Sequence, residues 1–94
     1  MKIQRTENGD SGKFYIEEND KNIALMTYKK SGNSVITIDH TEVDSNLRGE
    51  GIGEDLVAEG VKFARANDLK IIPQCPFVKA EFDKHSDYAD VLAA

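Results

Sequence analysis

The sequence predicts an α+β fold in which a mainly antiparallel sheet packs against one long helix. Short β-rich runs separated by polar turns occupy the chain up to Val43 and are typical of an antiparallel meander. A glycine-rich turn follows, and an amphipathic stretch then continues to about Asn67. The apolar run at residues 69–72 comes after this helix, so we expect a fifth strand that lies parallel to the fourth.

The antiparallel part is predicted to contain four strands. Their expected positions are residues 2–5, 14–16, 23–28 and 35–43. Along the fourth strand, period-two alternation places Ile36, Ile38, His40 and Glu42 on one face. A β-bulge in this strand would change that register.

The helical segments carry clear apolar faces. The apolar half of the long helix consists of Ile52, Leu56, Val57, Gly60, Val61, Phe63 and Ala64. Gly60 costs about 1 kcal/mol of helix propensity relative to Ala, so we expect the helix to approach the sheet closely there. A short helix is predicted at residues 77–84, followed by a last helical turn capped by Ser86. The apolar residues of this C-terminal part are Phe77, Val78, Phe82, Tyr88, Val91 and Leu92, and the first three are expected to face inward.

The length and composition indicate one domain spanning residues 1–94. Twelve basic and seventeen acidic residues give a net charge of −5 without a basic stripe, which argues against nucleic acid and anionic membranes as partners. No apolar run approaches membrane-spanning length, and the N-terminus lacks the apolar region of a signal peptide. A single cysteine allows no internal disulfide, so we expect a cytoplasmic protein.

Residues 48–53, Arg-Gly-Glu-Gly-Ile-Gly, lie between the fourth strand and the long helix. The three glycines are expected to adopt positive φ and to let the backbone approach a ligand closely. Amides at a helix start have no intrahelical partner and carry partial positive charge, so this turn can hold an anionic group beside Arg48. The run is neither a P-loop nor a dinucleotide-binding Gly-x-Gly-x-x-Gly motif. A turn that only joins a strand to a helix is the alternative interpretation.

Cys75 is the residue best placed for chemistry. Proline is favoured at the first position of a helix, so Pro76 makes Cys75 the expected N-cap, with its sulfur near unpaired amides. Such a location lowers the pKa of a thiol. The residue also follows the fifth strand, at the sheet edge where ligands of α/β sheets bind. The alternative is a small buried apolar residue, which is common for a free cysteine.

Two further residues are candidates for proton transfer. His40 lies on the strand that leads into the glycine loop, and we predict it to be a base or a hydrogen-bond partner for Cys75 or an acyl carbonyl. A structural histidine is the alternative. Tyr88 could donate a proton to a departing thiolate, although a core tyrosine would explain it equally well. His40, Cys75 and His85 do not have the spacing of a metal site, so we expect no metal.

The Arg-x-x-Gly-x-Gly spacing of residues 48–53 resembles the acyl-CoA pyrophosphate loop of the GNAT acetyltransferase superfamily. Several other stretches occur in matching order, namely His-Thr-Glu-Val at 40–43, Pro-Gln-Cys-Pro-Phe-Val at 73–78, and His85 with Tyr-Ala-Asp at 88–90. Together they cover nearly the whole chain. On these motifs, the chain resembles the family of small single-domain GNAT-like N-acetyltransferases.

The resemblance implies a reduced GNAT fold with a V-shaped splay between the fourth and fifth strands. Acetyl-CoA would be the cosubstrate, with its pantetheine in the splay and its acetyl group near His40 and Cys75. The predicted cofactor-binding residues are Val43, Arg48, Gly49, Glu50, Gly51, Ile52, Gly53, Cys75 and Phe77. The predicted catalytic residues are Cys75, His40 and Tyr88.

Two functions follow from this resemblance. The first is an enzyme that moves acetyl from acetyl-CoA to an unidentified amine, either directly or through an acetylated Cys75 with an accessible thiol. The second is a slow or non-catalytic acyl-CoA-binding or sensor module that acts with a partner protein. The stretch before the first confident strand has no helical pattern, so the acceptor pocket is expected to be truncated, open or completed by another protein.

Overall fold

A computed structural model describes residues 2–93 and contains a five-stranded sheet covered on one face by helices. Its elements are β1 (Gln4–Asn8), β2 (Ser11–Glu18), β3 (Lys21–Lys30), β4 (Val35–Val43), a 3₁₀ turn (Ser45–Leu47), α1 (Ile52–Ala66), β5 (Lys70–Pro73), α2 (Pro76–Lys84) and a 3₁₀ segment (Ser86–Val91). The strands lie in chain order, antiparallel from β1 to β4 and parallel between β4 and β5. The predicted α+β fold is confirmed.

The hairpin turns follow the local preferences of the sequence. Asn19 and Asp20 connect β2 to β3 with φ of 53° and 62°, a left-handed conformation that these residue types tolerate better than most. The first strand begins two positions later than predicted and pairs with β2 from Gln4 to Asn8. Gly9, with φ of 64°, lies in the turn between them.

The core lies between the sheet and the helices. Its largest fully buried side chains are Tyr28, Met26, Ile36, Ile38, Leu56, Ile71, Glu81, Val57, Val61 and Val78. Gly60 of α1 faces this core, and a Cβ atom there would lie 2.9 Å from Met26 Cε and 3.6 Å from Ile38 Cδ1. The close approach predicted at Gly60 is therefore confirmed.

The other face of the sheet is open. Among residues 2–93, α1, α2 and the last 3₁₀ segment all pack on the same side, so side chains such as Leu25 and Thr27 remain partly exposed. Ile72 on β5 is 41% exposed. None of the helices in this part of the chain is long and apolar enough to cross a membrane.

A β-bulge changes the register of β4. Tyr28 pairs with Ile38, whereas Thr27 pairs with His40, which leaves Asp39 as the extra residue. Beyond the bulge, His40 and Glu42 are exposed on the open face. The prediction that both share a face with Ile36 and Ile38 is therefore wrong, and Thr41 and Val43 take the helix-facing side instead.

The C-terminal part differs from prediction in its details. Phe77 is 36% exposed rather than inward, while Val78 and Phe82 are buried as expected. His85, not Ser86, is the residue preceding the last helical segment. Leu92 is 41% exposed, and its backbone forms a parallel bridge with Ile71 that extends the sheet at its β5 edge.

Candidate functional site

The site begins where β4 and β5 separate. Their parallel pairing runs from Val35 and Lys70 to Ile38 and Pro73. The amides of Gln74 and Cys75 then both donate to the carbonyl oxygen of Ile38, at 3.1 and 3.0 Å. Because β5 turns away at this point while β4 continues to Val43, a gap opens between the end of β4 and the start of α2.

A groove of about 360 Å³ runs from this gap to the glycine loop. Its lining consists of Thr41, Val43, Leu47, Arg48, Gly49, Gly51, Ile52, Gly53, Glu54 and Phe77. Seven of these ten were predicted as cofactor-binding, whereas Thr41, Leu47 and Glu54 were not. Glu50 and Cys75 were predicted but do not line the groove itself.

The glycines of the loop meet two different requirements, a positive φ at two positions and close packing at the third. Gly49 and Gly51 have φ of 84° and 75°, in the region where side chains are disfavoured. Gly53 lies inside α1 without a positive φ, so that part of the prediction is wrong. A Cβ atom at Gly53 would lie 2.7 Å from Cζ of Phe77, so glycine lets the Phe77 ring pack against α1 in its present position.

The start of α1 presents unpaired amides to the groove. Gly51 is the N-cap and makes no side-chain capping bond. The Asp55 amide donates to the Gly51 carbonyl at 3.0 Å, which leaves the amides of residues 52–54 without intrahelical acceptors. The helix dipole adds partial positive charge at these amides. The geometry suits an anionic group, which the backbone alone can hold.

Cys75 is the N-cap of α2, directly before Pro76, as predicted. Its Sγ lies 3.5 Å from Oγ1 of Thr41, to which the thiol donates. Burial raises the pKa of the thiol, but the Thr41 hydroxyl and the nearby amides of Val78, Phe77 and Thr41 favour the thiolate and lower the pKa more. The pKa of Cys75 is therefore lowered overall. The structure has no side-chain capping hydrogen bond from Cys75 to the α2 amides. The side chain is only 7% exposed, so the expectation of an accessible thiol is wrong.

His40 lies on the open face of the sheet. Its side chain is 58% exposed, and Nε2 lies 3.1 Å from Oε2 of Glu42. Cys75 is hydrogen-bonded to Thr41 instead, because the bulge at Asp39 turns His40 away from the helices. The role of His40 as a base stays a prediction.

Tyr88 packs against the end of α2. Its ring stacks on His85 at 4.7 Å between centroids and meets Phe82 edge-on at 5.6 Å. Burial raises the pKa of the Tyr88 hydroxyl, and the carboxylates of Asp87 and Glu81 raise it further. A raised pKa makes this hydroxyl a weaker acid, and Tyr88 does not line the groove, so its role as a proton donor stays a prediction.

The family and structural comparisons agree on one assignment. Residues 13–91 match the sequence model of the family described as GCN5-related N-acetyl-transferase. A GCN5-like candidate N-acetyltransferase from Staphylococcus aureus, solved by NMR, is 39% identical with a TM-score of 0.78. That alignment covers 99% of this chain and 88% of the other. A comparison with curated protein sequences finds no significant match.

Larger acetyltransferases share the fold at low sequence identity. A ribosomal-protein-alanine N-acetyltransferase from Brucella melitensis biovar Abortus 2308 has 18% identity and a TM-score of 0.61, over 93% of this chain and 64% of that chain. An aminoglycoside acetyltransferase from an uncultured soil metagenomic sample, in complex with sisomicin, has 19% identity and a TM-score of 0.63, over 87% and 56%. The chain spans less than two thirds of the length of either protein.

Proposed function

The chain belongs to the GCN5-related N-acetyltransferase family, and from this premise we propose that it binds acetyl-CoA and transfers the acetyl group to an amine. Acetyl-CoA is the cosubstrate of this family. The observation that carries the proposal is the groove, which joins the unpaired amides at the start of α1 to the gap beside Thr41 and Cys75. Residues 1–94 act together as one acetyl-CoA-binding domain.

The glycine loop holds the pyrophosphate in this proposal. The amides of residues 52–54 donate to phosphate oxygens, and Gly49 and Gly51 supply the backbone conformation that brings these amides to the surface. The Arg48 guanidinium adds a charge-assisted contact, and Glu50 lies at the outer side of the loop.

The pantetheine arm follows β4 toward the gap. Val43 and Phe77 form apolar walls of the groove, and Phe77 is held in place by its contact with Gly53. Beyond Ile38, the edge of β4 is not paired with β5, so its backbone groups are available to the amides of the arm. This path ends beside Thr41 and Cys75.

Direct transfer is the simpler of two routes. The amine nitrogen attacks the thioester carbonyl carbon, the C–S bond breaks, and CoA leaves as a thiolate. His40, or a water between it and the amine, accepts the proton that the nitrogen loses. Tyr88 is the predicted proton donor to the departing sulfur, and because it does not line the groove it would act through water. His40 faces the open side of the sheet, so the amine approaches from that side.

The covalent route uses Cys75. Its thiolate attacks the thioester carbonyl, CoA leaves, and an acetyl-cysteine forms that the amine then attacks to regenerate the thiolate. The lowered pKa of Cys75 favours the thiolate that this route needs. Because the side chain is buried, the acetyl group reaches it only through the gap beside Thr41.

An acyl-CoA-binding module that acts with a partner protein is the second candidate. The open face of the sheet supports it, since no helix among residues 2–93 builds a wall around an acceptor there. In this case the groove binds the same ligand, but a second protein supplies the acceptor or completes its pocket.

Intact-protein mass after incubation with acetyl-CoA distinguishes these possibilities, with CoA alone and Cys75→Ala as controls. A gain of one acetyl group that is lost in the variant supports the covalent route. No gain, with thermal stabilisation by acetyl-CoA, supports direct transfer or the binding module, and assays with candidate amines separate those two. No stabilisation by either CoA or acetyl-CoA would contradict the proposed function.

A further inference from the structure

A further cavity lies on the open face of the sheet and shares no lining residue with the groove. Its volume is about 410 Å³, within the range of small-molecule sites, roughly 300–1,000 Å³. The side chains around it include those of Thr6, Asn8, Ser11, Lys13, Thr27 and Asp39. Each of these carries a hydroxyl, amide, ammonium or carboxylate group, so the cavity can both donate and accept hydrogen bonds.

One cross-strand row leads from this cavity to His40. Thr6 pairs with Lys13, Lys13 pairs with Thr27, and Thr27 pairs with His40. Residues directly opposite each other in a sheet point to the same face, and neighbouring strands are about 5 Å apart. His40 therefore lies one strand beyond the cavity, on the same face of the sheet.

The bulge in β4 gives the cavity its carboxylate. Regular alternation would place Asp39 and His40 on opposite faces, whereas the bulge leaves both on the open face. Thr27 Oγ1 donates to Oδ1 of Asp39 at 2.6 Å, which holds the carboxylate in place. Oδ2 of Asp39 lies 4.0 Å from Nζ of Lys29, beyond hydrogen-bond distance. This oxygen can therefore accept a hydrogen bond from a ligand.

The charges of the lining disfavour a polycation. Among the described residues, the lining has two ammonium groups, Lys13 and Lys29, and one carboxylate, Asp39. A polyamine or a lysine-rich segment would meet repulsion from both ammonium groups. A ligand rich in hydroxyl groups can instead bond to ammonium, carboxylate and hydroxyl groups alike, because a hydroxyl both donates and accepts.

We infer that this cavity holds the acceptor, and that the acceptor is a small amine with several hydroxyl groups, of the amino-sugar type. Its hydroxyl groups bond to Thr6, Thr27 and Asp39, and its amine extends along the row past His40 to the gap between β4 and β5. There the nitrogen attacks the thioester as in the direct route, and CoA leaves as a thiolate. This inference rests on the proposed function, because it assumes that the groove presents acetyl-CoA at that gap.

Amide nuclear magnetic resonance of the isotope-labelled full chain, saturated with CoA, tests the inference by titration with D-glucosamine. We expect saturable shifts at Thr6, Lys13, Thr27 and Asp39, and at least about tenfold weaker binding of spermidine and of a lysine-rich peptide at moderate salt. Equal or tighter binding of either polycation, or no response of these amides to D-glucosamine, would overturn the inference. Shifts of residues 52–54 on adding CoA report on the proposed function separately. If those shifts occur and the cavity does not respond, only this inference fails, and if they are absent, both fail.

Two substitutions in the cavity sharpen the test. Asp39→Asn keeps the size of the side chain and removes its charge, so the dissociation constant for D-glucosamine should rise about tenfold, with CoA affinity unchanged. Thr6→Val removes one hydroxyl from the exposed strand β1 and should raise it about two- to fivefold, without touching the bulge.

Glu17→Gln is the matched control for Asp39→Asn. It removes the same charge from an exposed position of β2 outside the cavity lining, and should leave both affinities unchanged. An equal loss of D-glucosamine affinity in Glu17→Gln and Asp39→Asn, or no loss in Asp39→Asn and Thr6→Val, would overturn the assignment of the acceptor to this cavity.

Discussion

Residues of the first turns of α1 and α2 line the same groove, and the unpaired amides at the two helix starts have different surroundings. At α1, the N-cap Gly51 has no side chain, and the amides of residues 52–54, which have no intrahelical acceptors, border the groove. At α2, the N-cap is Cys75, whose side chain makes no capping hydrogen bond, although the nearby amides of Phe77 and Val78 help to lower the pKa of its thiol. The positive end of α1 therefore borders the groove, whereas that of α2 lies beside the Cys75 sulfur.

The two helix starts therefore suit different kinds of chemistry. Binding an external anion requires glycine and exposure, whereas activating a thiol requires burial and fixed donors. Each helix start can be perturbed separately, by a substitution that should leave the other helix start unchanged.

The largest effect is expected at the start of α1. Gly51→Val places a β-branched residue at φ of 75° and a Cβ 3.3 Å from Oε2 of Glu54, so the loop must change its path. We expect CoA affinity to fall by about 100-fold or more, since several charge-assisted contacts depend on that path. The far-ultraviolet circular dichroism should keep its shape, and titration calorimetry measures the loss.

Gly9→Val is the matched control for that substitution. Gly9 has a similar φ of 64°, and a Cβ there would meet nothing within 4 Å. The variant carries comparable backbone strain, about 1–3 kcal/mol, in a turn remote from the groove. It should lose stability but keep its CoA affinity. Equal losses of affinity in both variants would contradict a specific role for the loop.

At the start of α2, the thiolate is expected to depend on Thr41. Thr41→Val keeps the shape of the side chain but removes the hydroxyl that accepts from the thiol and that favours the thiolate, so the pKa of Cys75 should rise. The rate of alkylation by iodoacetamide rises with pH as the thiolate forms, and the midpoint of this rise should move to higher pH in the variant.

Cys75→Ala should retain CoA binding and lose any covalent acetylation. An acetyl group that still attaches to Cys75→Ala would exclude this cysteine as the acceptor.

The contact between the two helices should respond more moderately. Gly53→Ala brings a Cβ within 2.7 Å of the Phe77 ring, and this overpacking should cost about 1–3 kcal/mol of unfolding free energy. Phe77→Leu in the same chain should recover part of the loss, because a smaller side chain leaves room for the methyl group. Chemical denaturation of the two single variants and the double variant measures the coupling.

The smallest effect is expected far from both helix starts, at Glu7. A hydrogen bond from the Tyr28 hydroxyl, together with the Lys30 ammonium, lowers the pKa of this carboxyl below its ordinary value of 4.5. Since the folded pKa is the lower one, the stabilisation is present above 4.5 and is lost as pH falls through the folded pKa. The difference in melting temperature between the parent chain and Glu7→Gln should therefore shrink below pH 4.5. A difference that is constant across this range would contradict the assignment.

Local signals were enough to predict much of the fold and part of the site. Pro76 after Cys75 predicted the start of α2, and the glycines of residues 48–53 predicted the turn that precedes α1, because each depends on a few neighbouring residues. The bulge at Asp39 depends on pairing with β3, which no local pattern reveals. Missing that bulge placed His40 on the wrong face and hid Thr41 as the partner of Cys75.

The sequence likewise contains no sign of why position 53 is a glycine. The sequence predicted a positive φ for Gly53, whereas the structure shows a helical position that faces the ring of Phe77, which comes from another helix. Contacts between elements distant in sequence decide such positions. For the same reason, the partial exposure of Phe77 follows from the groove rather than from its place on the apolar side of α2.

The most direct test of the central claim is a titration of the isotope-labelled chain with CoA, followed by amide nuclear magnetic resonance. If the start of α1 holds the pyrophosphate, the amide signals of Ile52, Gly53 and Glu54 should show the largest shifts, with smaller ones near Thr41. Shifts confined to other parts of the chain, with these three amides unmoved at saturation, would contradict the account.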